Sequence, residues 1–222
     1  MSIELVIFDM DGLMFDTERV IYEVWADIIR KMGYEPNINL FSKSMGGHVP
    51  DVEDYYKAAF GRDVSMEEIL DIFHVTDTTF PSVLDRDGVS IKKGLVELLA
   101  WLEEHNINKV IASSSSQDTI RKYLGITGIE PTRFIHIVSG DMVTRVKPNP
   151  DIFLLACEKA GVEPRNALVL EDSRNGLKAA VAAGIPCILV PDLITPDEEI
   201  FEKAYKVPSS LLDVIDIIEE ML

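Results

Sequence analysis

The sequence predicts an α/β fold, a doubly wound and mostly parallel sheet interrupted by an inserted block of helices. Three observations carry that prediction. Leu5-Val6-Ile7-Phe8 is a continuous apolar run ended by a turn signal, as a strand buried on both faces requires. From about residue 93 onward, short apolar segments alternate with amphipathic ones in the manner of repeated βα units. Between these stretches, residues 35–86 keep helical spacing and contain no convincing strand, unlike a simple alternating sheet protein.

The first strand is read from Ile3 to Gly12. Asp16-Thr17-Glu18 then offers a helix N-cap, and Val20, Ile21, Val24, Trp25, Ile28, Ile29 and Met32 recur at helical spacing before Gly33 stops the run. Residues 51–60 and 65–84 are the clearest segments of the helical block, and Asp85-Arg86-Asp87-Gly88 marks the return to the sheet. The expected division is a core domain of residues 1–15 and 87–222 and an inserted helical domain of residues 16–86. Strands are expected at 109–112, 134–138, 167–170 and 187–190, and helices at 93–105, 117–124, 150–160, 174–183 and 211–221. Thr195-Pro196-Asp197-Glu198 has the order of an N-cap, a first-position proline and first-turn acids, which explains its charge structurally. The apolar stripe Val214, Ile215, Ile218 reads as core packing rather than a dimer seam, so a monomer is expected.

Composition limits the partners. The net charge of −17 on 222 residues repels polyanions, which argues against nucleic acid or an anionic membrane as the principal partner. A small anionic substrate remains compatible if a metal and a local lysine reverse the field within the site. The two cysteines, Cys157 in an expected helix and Cys187 in an expected strand, form no metal-type or disulfide framework and read as reduced core thiols. With no basic signal-type flank and no apolar run of spanning length, a cytoplasmic location is expected.

Four strand ends carry polar residues whose types suit one reaction. Asp9-Met10-Asp11-Gly12 closes the first strand; if the extended geometry persists, both carboxylates point to one side, at the edge where an open parallel sheet holds its ligand. The run Ser113-Ser114-Ser115-Ser116 follows the second strand, where hydroxyls and turn N–H groups before a helix can hold an anion. Lys147 precedes Pro148-Asn149-Pro150, whose prolines stiffen the backbone and can aim its side chain. Glu171-Asp172-Ser173 follows a later strand. Each has an ordinary alternative: a solvated D-x-D-G turn, a Ser116 helix cap, a plain loop lysine, an acidic cap. Their order along the chain is more specific than any member.

That order resembles the haloacid dehalogenase superfamily across nearly the whole chain. Asp9-x-Asp11-Gly12 matches its first motif, Ser113 its second, Lys147 its third and Glu171-Asp172 its fourth, and the helical insertion looks like the C1 cap of the β-phosphoglucomutase-like branch. The resemblance implies a Rossmann-like core and a Mg²⁺-dependent phosphatase acting on a small phosphomonoester such as a sugar phosphate or nucleoside monophosphate. Asp9 would be the nucleophile, Asp11 the general acid and base, and Ser113, with Ser114 and Lys147, would hold the phosphoryl group. Mg²⁺ would be bound by Asp9, the Asp11 backbone carbonyl and Asp172, with Glu171 binding or orienting in support. The turn Met45-Gly46-Gly47-His48 is the expected substrate-contacting loop of the cap, although Gly46 and Gly47 also suit a plain turn beside an exposed His48.

Departures from the family narrow the choice. Ile21 stands where β-phosphoglucomutases carry a cap-helix histidine, and Pro50 where they carry a cap-loop arginine for a second phosphate, so transfer to water is favoured over a sugar-phosphate mutase. Asp11 supplies the second carboxylate that dehalogenases lack. A phosphoaspartate signalling module is the non-enzymatic alternative, but its acceptor aspartate belongs on a later strand and it has no helical cap.

Overall fold

The computed structural model describes residues 2–46, 49–193 and 201–222. In chain order the elements are β1 (Leu5–Phe8), α1 (Thr17–Lys31), α2 (Ile38–Gly46), α3 (Val49–Phe60), α4 (Met66–Asp87), α5 (Leu95–Glu104), β2 (Asn108–Ala112), α6 (Gln117–Thr127), β3 (His136–Val138), α7 (Asp151–Ala160), β4 (Ala167–Glu171), α8 (Arg174–Ala183), β5 (Cys187–Leu189) and α9 (Leu211–Met221). The chain divides into two compact units, Met1–Asp16 with Val89–Leu222, and Thr17–Gly88.

The first unit is an α/β sheet domain. Its strands lie in the order β3-β2-β1-β4-β5 and every pair is parallel. The first strand in sequence is therefore central in space, with β1 flanked by β2 and β4, and the sheet winds outward in both directions from it. That is the topological switch point at which parallel α/β sheets bind ligands, outside the carboxyl ends of the strands. Register sharpens the placement: Phe8 pairs with Ile111 on one side and Leu170 on the other, so Asp9, Ala112 and Glu171 emerge at one level.

Apolar residues cover both faces of this sheet. Leu5, Ile7, Val110, Ala112, Val169 and Leu189 join Phe153 and Ala156 of α7 and Leu177 and Ala180 of α8 in one core. By strand alternation Val6, Phe8, Ile111, Leu168, Leu170 and Ile188 face the other way, and all are fully buried. A side chain of this kind contributes about 1.5–3 kcal/mol on burial, so each residue of β1 is worth a sizeable part of a domain's net stability. Cys157 and Cys187 are free and buried within the same packing. Val214 and Ile218 of α9 are also fully buried, consistent with a core stripe.

The first strand is shorter than the sequence pattern suggests. The ladder reaches Asp9, whose N–H donates to the Leu170 carbonyl at 3.0 Å, and then the chain turns: the Met10 carbonyl accepts from Met14 and Phe15 at 2.9 and 3.2 Å. Gly12 makes this turn possible at φ 80°, a left-handed conformation open to glycine. Two stretches of this unit, one after the turn and one before α5, then run antiparallel. Phe15 bridges Ile91, Asp16 N donates to Ser90 O at 2.9 Å, and Lys92 N donates to Met14 O at 2.9 Å.

The described residues of the second unit form four helices, α1 to α4, and the turns between them. Trp25 and Tyr56 are fully buried, and the Trp25 indole N–H donates to the Tyr56 hydroxyl at 2.9 Å, which satisfies both polar tips inside an apolar cluster. Phe41 packs against Trp25 with ring centroids 5.4 Å apart. Ser65 caps α4 by accepting from Glu68 N at 3.2 Å. Asp85-Arg86-Asp87, expected as a return segment, forms the last turn of α4, and the chain leaves the helix at Gly88, φ 76°. Gly46 ends α2, while Gly47, His48 and the Thr195–Glu198 cap signal lie outside the described residues. Among the described residues no helix is long and apolar enough to cross a membrane.

Candidate active site

Every side chain described in this section belongs to the sheet domain. Asp9 leaves the end of β1 with its side chain 9% exposed, and its Oδ1 accepts from Lys147 Nζ at 2.5 Å. Lys147 arrives from the loop after β3, across a cis Lys147-Pro148 bond. Its ammonium also donates to Glu171 Oε1 at 2.7 Å and to the Ala112 carbonyl at 3.3 Å, and lies 4.8 Å from the centre of the Phe153 ring. One lysine therefore ties the ends of β1, β2 and β4 together.

Glu171 is the last residue of β4 and is fully buried. Its Oε2 accepts from Asp172 N at 3.0 Å, Ser173 N at 3.0 Å and Ser173 Oγ at 2.9 Å, so both of its oxygens are engaged by the protein. Asp172 is 4% exposed beside it. One oxygen from each of Asp9, Glu171 and Asp172 lies within 4.8 Å of the others. Such a compact, buried, all-oxygen set has the donor chemistry of a hard divalent cation such as Mg²⁺.

The charge balance is lopsided. A single ammonium faces several buried carboxylates, and burial pushes the Asp9 carboxyl up to about 8, with Glu171 and Asp11 adding to the rise and Lys147 opposing it. Burial disfavours the Lys147 ammonium, but Asp9 and Glu171 outweigh that and hold it above the ordinary lysine range. The site as built has room for one more positive charge, a proton or a metal.

Asp11 bonds to the serine loop after β2. Its Oδ2 accepts from Ser115 Oγ at 2.8 Å and from Ser113 Oγ at 3.4 Å. Asp9 and Asp11 thus engage different partners, because β1 ends before the alternation that would have paired them takes effect. Ser113 is 1% exposed, and its hydroxyl also accepts from Ser115 N at 3.0 Å. Ser116 caps α6, accepting from Thr119 N at 3.2 Å. Ser114 is exposed.

The structure thus brings together Asp9, Lys147, Glu171 and Asp172, and joins Asp11 to Ser113. It adds Ser115, Ser173 and two glycines that sequence reasoning did not single out. A Cβ at Gly176 would sit 1.7 Å from Glu171 Oε1, and one at Gly140 would sit 2.2 Å from the Ser114 carbonyl oxygen. None of these left a distinguishing signal in the sequence, since in the unbroken run Ser113–Ser116 the pair 113/115 is spaced no differently from 114/116.

Residues 6–190 match the sequence model of the haloacid dehalogenase-like hydrolases. The chain belongs to that family. Among haloacid dehalogenase-like relatives, a phosphorylated carbohydrates phosphatase of Thermotoga maritima is 30% identical over 184 residues, 82% of this chain and 82% of the relative. The crystal structure of CbbY from Rhodobacter sphaeroides in complex with phosphate superposes with a TM-score of 0.70 at 26% identity, covering 96% of each chain. A β-phosphoglucomutase from Clostridium difficile gives 0.69 at 26% identity, over 98% of this chain and 96% of that one. Within the haloacid dehalogenase superfamily the chain falls in the β-phosphoglucomutase-like branch.

Proposed function

We propose that the protein is a Mg²⁺-dependent phosphatase that hydrolyses a small phosphomonoester, of the sugar phosphate or nucleoside monophosphate kind, through an aspartyl phosphate on Asp9. Phosphoric monoester hydrolysis is the chain's reaction class as a haloacid dehalogenase-like hydrolase with phosphatase relatives. The observation that carries the finer reading is the buried Asp9 carboxylate held by Lys147 beside Glu171 and Asp172. The phosphorylated-carbohydrate relative supports a phosphorylated sugar as the substrate class, and the phosphate-bound CbbY supports a phosphate site in this fold.

In this reading Asp9 attacks phosphorus, and the bonding pair of the broken P–O bond leaves with the alcohol oxygen, which takes a proton from Asp11. Water then attacks the phosphoaspartate and gives its proton to Asp11, and the broken P–O bond restores the Asp9 carboxylate as phosphate departs. Lys147 fixes Asp9 and offsets repulsion between it and the incoming phosphoryl oxygens. Ser113 and the N–H groups of its loop hold those oxygens. Asp9, the Asp11 carbonyl and Asp172 would hold Mg²⁺, which when bound neutralises developing charge. Glu171 has both oxygens engaged by the protein, which favours an orienting role for it. The helical unit would act as the cap, with Gly46, Gly47 and His48 contributing to substrate choice.

The test is phosphate release from phosphosugars, nucleotides and an aryl phosphate, with Mg²⁺ and with chelator, and Asp9→Asn as control. Metal-dependent release lost in the variant supports the reading. The fold shared with β-phosphoglucomutase favours a second reading, a sugar-phosphate mutase; isomerisation of a sugar phosphate that requires a bisphosphate primer, without net release, would replace the first reading with it.

A further inference from the structure

We infer that Ser115 is a positioning residue for the reaction, the group that sets where Asp11 places its proton; this rests on the phosphatase reading of Asp11. Ser115 Oγ lies 2.8 Å from Asp11 Oδ2, closer than Ser113 Oγ at 3.4 Å. By distance it makes the better hydrogen bond of the two. Ser113, the member of the loop that family resemblance points to, has its hydroxyl partly committed elsewhere, accepting from Ser115 N at 3.0 Å.

A hydroxyl positions a partner only if its own backbone is fixed. Ser115 is held on both sides: its N–H bonds Ser113 Oγ, and its carbonyl accepts from Gly140 N at 2.9 Å. Gly140 lies so close to the loop that a Cβ there would meet the Ser114 carbonyl oxygen at 2.2 Å. The loop after β2 is thereby clamped against the segment after β3, and the Ser115 hydroxyl is delivered to Asp11 from a rigid base.

The chemistry of a hydroxyl suits this task. It donates to Asp11 Oδ2 and can go on donating to that oxygen whether Asp11 is a carboxylate or carries its proton on the other oxygen, so it steers the side chain through both steps of the cycle. Ser115 itself exchanges no proton with substrate in this account; it acts through Asp11.

Leaving-group chemistry separates this role from a merely structural one. An alkyl phosphate expels a basic alkoxide that needs protonation, whereas p-nitrophenyl phosphate expels a phenolate that needs little help. With Mg²⁺ present, Ser115→Ala is expected to lower kcat/KM for a sugar phosphate by roughly tenfold more than for p-nitrophenyl phosphate. Ser115→Thr, which keeps the hydroxyl, should recover most of that ratio, and adding Ser115→Ala to Asp11→Asn should change the ratio no further. Equal losses on both esters, with thermal melting showing folded protein, would overturn the assignment, as would a Thr variant no better than Ala. If the unmodified protein hydrolyses neither ester, the phosphatase reading fails and the role of Ser115 with it; if it hydrolyses both and the ratio stays fixed, only the role of Ser115 fails.

Discussion

Lys147 Nζ sits between two buried carboxylates, 2.5 Å from Asp9 Oδ1 and 2.7 Å from Glu171 Oε1. The lysine is remote from both in sequence, and its 7% exposed side chain reaches them from the loop after β3. A buried ion pair is weak evidence for stability in itself, but removing one partner leaves the others uncompensated. The consequences of that geometry can be measured.

Lys147→Met keeps a comparable volume while deleting the charge. It should cost about 3–5 kcal/mol of unfolding free energy and abolish turnover. Urea denaturation checks the first and phosphate release the second. Without the ammonium, the Asp9 carboxyl loses the influence that opposes burial and is raised further. A raised carboxyl contributes stability at low pH that is lost as pH rises through its folded value, about 8 in the parent and higher in the variant, so the contribution of Asp9 differs between the two proteins only above about pH 8, and the deficit should change there and stay constant between about pH 5 and about pH 7. A deficit independent of pH would contradict this account.

Metal binding should compete with a proton. In the metal-free protein the Asp9 carboxyl is raised from 3.8 to about 8, so its contribution to stability is complete below the unfolded value and fades as pH rises toward the folded one. Mg²⁺ held by Asp9 and Asp172 would relieve the same excess negative charge. The increase in Tm on replacing chelator with Mg²⁺ should therefore grow between about pH 5 and about pH 8, and calorimetry in buffers of different ionisation enthalpy should record proton release.

Two glycines in helices should respond in opposite directions. Gly176→Ala would place a methyl group 1.7 Å from Glu171 Oε1, displacing the carboxylate that anchors Lys147. A loss of about 1–3 kcal/mol and a fall in turnover of at least roughly tenfold are expected. Gly125 in α6 has ordinary helical geometry and nothing within 4 Å of an added Cβ, so Gly125→Ala should stabilise by about 0.5–1 kcal/mol with activity unchanged. Thermal melting and steady-state rates decide both.

Asp9→Asn removes one charge from a site with too many negative ones. The variant should fold with a Tm no lower than the parent's in chelator while its turnover falls by at least roughly 10³-fold, as expected for loss of a nucleophile. Near-normal turnover would remove Asp9 from that role.

The sheet was legible because its strands are apolar on both faces, so Leu5–Phe8 and Ala167–Leu170 stand out as runs with no compensating alternation. Helix ends were legible where the chemistry is local, as at Ser65, Ser116 and Gly33. The relation of Asp9 to Asp11 was not, since it depends on where β1 stops, and that is decided by the Met10 carbonyl accepting from Met14 and Phe15. Nor could four consecutive serines reveal which hydroxyl meets Asp11; that choice is made by the Gly140 contact, a property of two strand ends brought together by folding. Gly176 escaped for the same reason, its neighbour Glu171 being defined only once β4 meets α8.

The antiparallel stitch between Met14–Asp16 and Ser90–Lys92 has a topological consequence. At the sheet domain's two severed ends, Asp16 and Val89, the chain is already joined by one hydrogen bond, from Asp16 N to Ser90 O at 2.9 Å. A graft at this junction asks the host for no new loop closure, whatever the length of the segment spliced in. The 72 residues from Thr17 to Gly88 are in this sense cargo on a closed handle, open to exchange, shortening or deletion while the strand that carries Asp9 keeps its neighbours.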